Sequence, residues 1–331
     1  MASSGRAAAV VALAAGSVSA ESQAAPVPAD RDGQPNEDRW VALTDDGVTV
    51  LAVADGMGGI PGGGVAASRA VVGLLSLVAD GVAGQLPAAN SGAGAGLGAD
   101  VGAVLAAAFA TADRGVRTLS SRPDSGFDPR GPGTTLTAAV IAGDRLRLAH
   151  AGDSSCWLFR RGRLCRLTEQ HTAAAVLVAS GAVAASSLAA RRLDSLLTRY
   201  LGMPGTLHPQ LTEVRLRAGD RVLLATDGLT RSMRVGQLGA LLRDQGVSAA
   251  SLVAAAVAAG ARDDVTAVLA TVRPAGSLGS KTYPQYSDDS AGIVGAEPAG
   301  PPWAPPPARG LAAAAAELPV GWAGRAAVAG R

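Results

Sequence analysis

Aromatic side chains are scarce in this chain, at 3% of 331 residues. That excludes a core organised around large rings. Hydrophobic residues still make up 48%, much of it alanine and valine, so the interior must be filled by small aliphatic groups. An excess of charge of one sign is also missing: the formal net charge is +2, which removes the electrostatic case for nucleic acid or an anionic membrane as partner. No apolar run approaches the ~20 residues of a membrane helix. Cysteine is limited to Cys156 and Cys165, which flank an expected hairpin turn at Arg161-Gly162. A two-residue turn there puts them diagonal to one another, so they are read as buried thiols rather than a disulfide. At the N-terminus, Arg6, the run Ala7 to Ala15 and Val18-Ser19-Ala20 loosely mimic an export signal. The run is alanine-dominated with one positive charge. Residues 1–26 are therefore read as a first strand or a loose arm, and the protein as a cytoplasmic monomer.

What the sequence does have is a run of five apolar residues, Val50 to Ala54, that ends in Asp55 and a glycine cluster, Gly56, Gly58 and Gly59. This predicts a buried strand, a tight turn and then a helix, marked by Val65, Ala66, Arg69, Val72 and Leu75 and reaching to about Val82. A carboxylate beside backbone carbonyls is the ligand type that hard cations such as Mg²⁺ and Mn²⁺ prefer. Taken alone, the same Asp reads more simply as a helix cap.

Elsewhere, alternation predicts strands at Trp40 to Leu43 and Val48 to Ala54, and a meander at Thr134–Ala142, Arg145–Ala151, Ser155–Phe159 and Leu164–Leu167. Further strands are expected at Glu213–Arg217, Asp220–Ala225 and Val265–Val272, and helices at Val101–Leu119, Val235–Asp244 and Ala249–Ala259. Such quick succession of strands implies antiparallel pairing. Residues 172–205, rich in Ala and Ser and carrying Arg191, Arg192 and Arg199, read as a flap inserted between sheet strands. From 274 to 331, Pro, Gly, Ala and Ser predominate without periodicity, which reads as a disordered tail.

Acids recur where apolar strands begin or end: Glu37 and Asp38, Asp55, Asp153, Asp227, and Asp263 with Asp264. Gathered at one rim they would repel one another unless cations neutralised them. Neither cysteine has a neighbouring acid–base pair, so core packing is their better reading. His150 and His171 could serve as general acids, though a structural histidine near a strand end is the simpler reading of each.

The ordered stretches Asn36-Glu37-Asp38, Asp55-Gly56-Met57-Gly58-Gly59, Gly133-Thr134-Thr135, Ala151-Gly152-Asp153-Ser154, Leu167 to His171, Thr226-Asp227-Gly228-Leu229 and Asp263-Asp264-Val265-Thr266 resemble the metal-dependent protein phosphatase family, also called PPM or protein phosphatase 2C-like, in its bacterial serine/threonine form. The likeness covers about residues 30–273 and implies a phosphatase domain over 27–273. It implies an α+β fold: a four-layer αββα sandwich with a central pair of antiparallel sheets flanked by helices. It also implies two Mn²⁺ or Mg²⁺ ions, with a third, weaker site, and hydrolysis of phosphoserine and phosphothreonine in proteins phosphorylated by serine/threonine kinases.

By the resemblance, Asp55 bridges two ions, the Gly56 carbonyl binds one, Asp227 and Asp263 bind the other, and Asp153 helps hold the third. Glu37 and Asp38 act through water. The chain also departs from the family. The family's phosphate-gripping Arg falls at Gly33, which leaves Arg31 as the nearest substitute. Ser155 and Asp264 stand where Arg and Asn are usual. A catalytically weak, phosphoprotein-binding member of the fold is the alternative, as is a phosphatase of anti-sigma-factor antagonists.

Overall fold

The computed structural model describes residues 6–13, 16–23, 36–45, 48–57, 62–83, 100–120, 131–272 and 282–286. In chain order the elements are β1 (Arg6–Leu13), β2 (Gly16–Gln23), β3 (Arg39–Asp45), β4 (Val48–Ala54), β5 (Gly56–Met57), α1 (Gly62–Ala83), α2 (Asp100–Ser120), β6 (Gly133–Thr134), β7 (Leu136–Ala142), β8 (Arg145–Ala151), β9 (Ser155–Arg160) and β10 (Arg163–Arg166). Then follow α3 (Ala173–Ala179), α4 (Leu188–Leu193), β11 (Gln210–Arg215), β12 (Arg221–Ala225), α5 (Asp227–Ser232), α6 (Val235–Leu241), α7 (Ala249–Ala258), β13 (Val265–Val272) and β14 (Thr282–Tyr286). One sheet runs β1-β2-β13-β12-β9-β10, the other β11-β8-β7-β4-β3-β14, and β5 pairs with β6. Adjacent strands are antiparallel throughout.

The four layers follow from strand alternation. On β4, Val48, Val50, Ala52 and Ala54 face α1 and α2, while Leu51 and Val53 face the opposite sheet. On β12, Val222 and Leu224 face that same interior, while Leu223 and Ala225 meet α5, α6 and α7. Three buried layers therefore lie between four layers of secondary structure, the αββα sandwich. Small residues let the two helices of the first layer approach closely. A Cβ added at Gly73 of α1 would stand 2.8 Å from the Ala112 Cα of α2. Leu74, Leu105 and Phe109 fill the space that remains, each almost fully buried. Burial of that extent stabilises by about 1.5–3 kcal/mol per large side chain.

The β9–β10 hairpin turns on Arg161 and Gly162, with φ of 50° and 77°. This is the two-residue, positive-φ geometry that suits the strand twist. Cys165 pairs opposite Leu158, so it lies diagonal to Cys156 as the turn requires. Both thiols are free. Cys156 lies in the layer between the sheets, where burial pushes its thiol up to about 12. Cys165 is exposed, contrary to the expectation that both are buried. Its position on β10, the edge strand of its sheet, explains the difference.

One further expectation is corrected. The region 274–331 is not without structure throughout, because β14 forms an edge strand against β3. Its register shifts between Thr282 and Gln285, around Pro284, and an edge position with an irregular ladder is where a strand tolerates proline. After β12, Asp227–Ser232 winds into α5, a helix for which no expectation was stated. Residues 6–13 and 16–23 form two strands, with β2 paired to β13. Among the described residues no helix is long and apolar enough to cross a membrane.

Candidate metal centre

Strand register places the acids. Arg39, at the start of β3, pairs with Ala54 at the end of β4, and Leu136 of β7 pairs with Ala151 at the end of β8. Glu37-Asp38, Asp55 and Asp153 thus share one end of the second sheet. In the first sheet Ala225 pairs with both Ala267 and Ser155, which puts Asp227 and Asp263-Asp264 at the corresponding end. The two ends are joined at Asp38. Its Oδ2 accepts from Thr226 Oγ1 at 2.8 Å and from Thr266 Oγ1 at 2.7 Å, across 188 and 228 residues of sequence.

Asp55 is positioned through its backbone. Its N–H donates to Thr135 Oγ1 at 2.9 Å, and its carbonyl accepts from the Thr135 N–H and from Thr134 Oγ1, each at 2.9 Å. The Gly133-Thr134-Thr135 stretch is therefore a clamp on the end of β4. Glu37 Oε1 accepts from the N–H groups of Gly63 and Gly64, at 3.0 and 3.3 Å, and so caps α1. A Cβ at Gly63 would collide with Glu37 Oε1 and the Gly56 backbone, which accounts for glycine there. Asp264 Oδ2 accepts from the Glu37 N–H at 2.7 Å, so the residue in the family's Asn place ties the 36–38 segment to the start of β13. Arg39 donates to the carbonyls of Asn36 and Asp38, both at 2.7 Å. Ser155, in a usual Arg place, is buried and accepts from Trp157 Nε1 at 2.9 Å.

The electrostatics are those of crowded acids. Burial, then the charges of Asp38, Asp227, Asp153 and Asp263, hold the Asp55 carboxyl well above its usual range. Burial and Asp264 do the same to Asp38, against the opposing hydrogen bonds from Thr266 and Thr226. Asp227 is pushed up to about 7 by burial and Asp153. Asp38 Oδ1 and Asp227 Oδ1 are buried with no hydrogen-bond partner. A buried, unpartnered carboxylate oxygen is costly, and two of them in a cluster of mutually repelling acids suit a divalent cation. Among the described residues no three Asp, Glu, His or Cys side chains form a ready-made ligand group for one ion. At this rim water and backbone carbonyls would complete a coordination shell, as Mg²⁺-type sites commonly require.

Arg31 and Gly33 lie outside the described residues. Asp263 is exposed, and its Oδ1 accepts from the Asp264 N–H at 3.0 Å. The histidines stack on each other at 4.7 Å between ring centroids. His150 is fully buried between Thr137 and the Glu169 carbonyl, and burial followed by His171 lowers it to about 3. His171 faces the Gly152 N–H at Nδ1 and Arg199 at Nε2, and burial together with Arg199 lowers it to about 4. With donors facing both ring nitrogens, His171 is unsuited to carry an extra proton, and the structural reading of both histidines holds.

Sequence reasoning missed Arg231, which pairs with Asp227 at 2.9 Å and with Asp153 at 3.1 Å. Its place one helical turn after Asp227 was the available signal, hidden because α5 was not foreseen.

The protein-family model for Protein phosphatase 2C matches residues 29–271. The chain is 34% identical over 239 residues to the serine/threonine protein phosphatase PstP of Mycobacterium tuberculosis, covering 72% of this chain and 42% of that one. It is 28% identical over 149 residues to the serine/threonine phosphatase stp of Listeria monocytogenes, covering 44% and 59%. The chain thus spans less than two thirds of the length of these curated relatives. Among solved structures, the crystal structure of the M. tuberculosis phosphatase PstP/Ppp superposes with a TM-score of 0.63 at 32% identity, covering 78% of this chain and 98% of that one. The catalytic domain of PstP in complex with two manganese ions gives 0.62 at 31% identity, covering 80% and 100%.

Proposed function

Because the chain belongs to the protein phosphatase 2C family, we propose that it is a metal-dependent serine/threonine protein phosphatase, with residues 27–273 as the catalytic unit and cytoplasmic phosphoproteins as substrates. The observation that carries the proposal is the buried acid rim at the joined ends of the two sheets, with its two unpartnered carboxylate oxygens. Asp55, Asp227, Asp263 and the Gly56 carbonyl would hold two Mn²⁺ or Mg²⁺ ions, and Asp153 would serve a third. Such ions, when bound, make a water acidic enough to attack near neutral pH and offset charge on the phosphate.

The chain's own residues do the rest. The Thr134-Thr135 clamp fixes Asp55. Thr226 and Thr266 hold Asp38 with one oxygen engaged and the other bare, oriented as an acceptor for a water proton. Glu37, anchored on the first amides of α1, holds the 36–38 segment against the rim. Arg31 is proposed to grip the substrate phosphate in place of the residue missing at Gly33, since a guanidinium fork orients phosphate better than point charges alone.

The test is hydrolysis of p-nitrophenyl phosphate and of a phosphothreonine peptide with Mn²⁺, with and without EDTA. Turnover that depends on Mn²⁺ and stops with EDTA is expected. Mn²⁺ binding without turnover would favour a phosphoprotein-binding role, and turnover untouched by EDTA would refute the metal-dependent reading.

A further inference from the structure

Arg231 sits where a cation would be expected. Its pairing with Asp227 alone would be an ordinary contact between residues four apart on one helix, of small consequence. Two further contacts change that reading. Nη2 reaches Asp153, which lies at the end of β8 and 78 residues away, at 3.1 Å. Nη2 also approaches the backbone carbonyl of Asp194, at 3.4 Å. Asp194 is the C-cap of α4, inside the flap between β10 and β11.

One guanidinium therefore spans both sheets' ends and the flap. The two carboxylates it engages are nearly buried, at 7% and 10% exposed, whereas Arg231 is 40% exposed and can swing towards solvent. It takes the Oδ2 atom of each acid, and Asp227 Oδ1 remains bare. A divalent ion held between Asp153 and Asp227 would meet a fixed positive charge already on its ligands. Either the ion binds weakly there or the guanidinium leaves.

We propose that Arg231 is an internal counter-cation that occupies the Asp153–Asp227 edge of the rim in the metal-free protein, competes with divalent metal for it, and links metal occupancy to the flap through Asp194. The inference rests on the preceding reading only in taking these acids as a metal site. Because coupling between two binding events is reciprocal, whatever displaces Arg231 from the acids also loosens its hold on the flap, and a displaced flap eases metal entry. Arg231 acts through the acids and is a positioning residue, not a catalytic one.

The experiment uses the full chain as wild type, Arg231→Gln and Arg231→Lys. Mn²⁺ binding is followed by calorimetry, thermal unfolding is measured in EDTA, and amide hydrogen exchange is followed across residues 188–202. With the competitor gone, Arg231→Gln should bind Mn²⁺ at the weaker site about tenfold more tightly, a coupling of ordinary size. It should also unfold at lower temperature in EDTA, and its flap amides should exchange faster without metal. In the wild type, Mn²⁺ should speed flap exchange. Arg231→Lys keeps the charge but not the fork, and should fall between the two. A purely structural role predicts the opposite for metal, namely equal or weaker binding in a folded Arg231→Gln protein, and that result, or Arg231→Lys binding Mn²⁺ as tightly as Arg231→Gln, would overturn the proposal. If the wild type and both variants take up no Mn²⁺ at all, it is the phosphatase reading that fails.

Discussion

Gly228 and Gly236 lie eight residues apart, and the same substitution should have opposite effects at the two. A Cβ at Gly228 would sit against the backbone carbonyl oxygen of Asp264, well inside the 3.0 Å that real Cβ atoms keep. The obstacle is backbone, so no side chain can rotate away. Relief requires α5 to move from the start of β13 by roughly an ångström, a backbone overpacking that costs about 3 kcal/mol. For a domain of this size that lowers the unfolding temperature by about 6–12 °C. The movement separates Asp227 from Asp263 and Asp264, so Mn²⁺ affinity should fall as well. Gly236 in α6 is exposed, and a Cβ there meets nothing within 4 Å. Gly236→Ala should stabilise by about 0.5–1 kcal/mol, because alanine loses less backbone entropy in a helix. Thermal unfolding by circular dichroism in EDTA, with Mn²⁺ calorimetry on the same samples, measures both effects. Gly228→Ala melting with the wild type at unchanged Mn²⁺ affinity would refute the close approach of Asp264 and the precision of the rim built on it.

Asp55→Asn should abolish Mn²⁺-dependent hydrolysis while its circular dichroism stays that of the wild type, since the clamp engages only the backbone groups of Asp55 itself; near-normal turnover would sink the bridging role. Thr226→Val or Thr266→Val removes one of the two donors to buried Asp38 Oδ2 and should cost about 1–3 kcal/mol in urea denaturation. His150 has an ordinary value of 6.5 that is lowered to about 3 by burial and His171. Between those values the unfolded chain binds the extra proton, so its contribution is complete above pH 6.5 and is lost as pH falls. From there to about pH 5 the loss is about 2 kcal/mol, and His150→Asn should flatten the measured slope by about one proton.

The strands were legible because alternation or a short apolar run bounded by turn residues carries its own signature: the expected limits of β8 and β13 coincide with those observed. The acid rim was legible for the same reason, since strand ends that pair must share an edge. What escaped was set by tertiary contact. α5 has six residues, too few for a period to show, and it is held by β13 rather than by propensity. Its absence from the reading hid Arg231. β14 carries a proline and reads as loop until β3 supplies its partner. Arg39 belongs to none of the motifs singled out in the sequence, yet its guanidinium holds the carbonyls of Asn36 and Asp38.

The bond from Asp38 to Thr266 closes nearly the whole domain on itself. During synthesis the chain is made from the N-terminus, so Asp38 and Asp55 emerge long before Asp227 and Asp263 exist. The early acids alone have neither their threonine donors nor the opposing carboxylates. A ribosome-bound fragment short of β13 therefore has no complete rim on which metal or phosphate could settle. The rim, and with it any chemistry proposed for it, is complete only once β13 has been laid down and joined to the N-terminal segment.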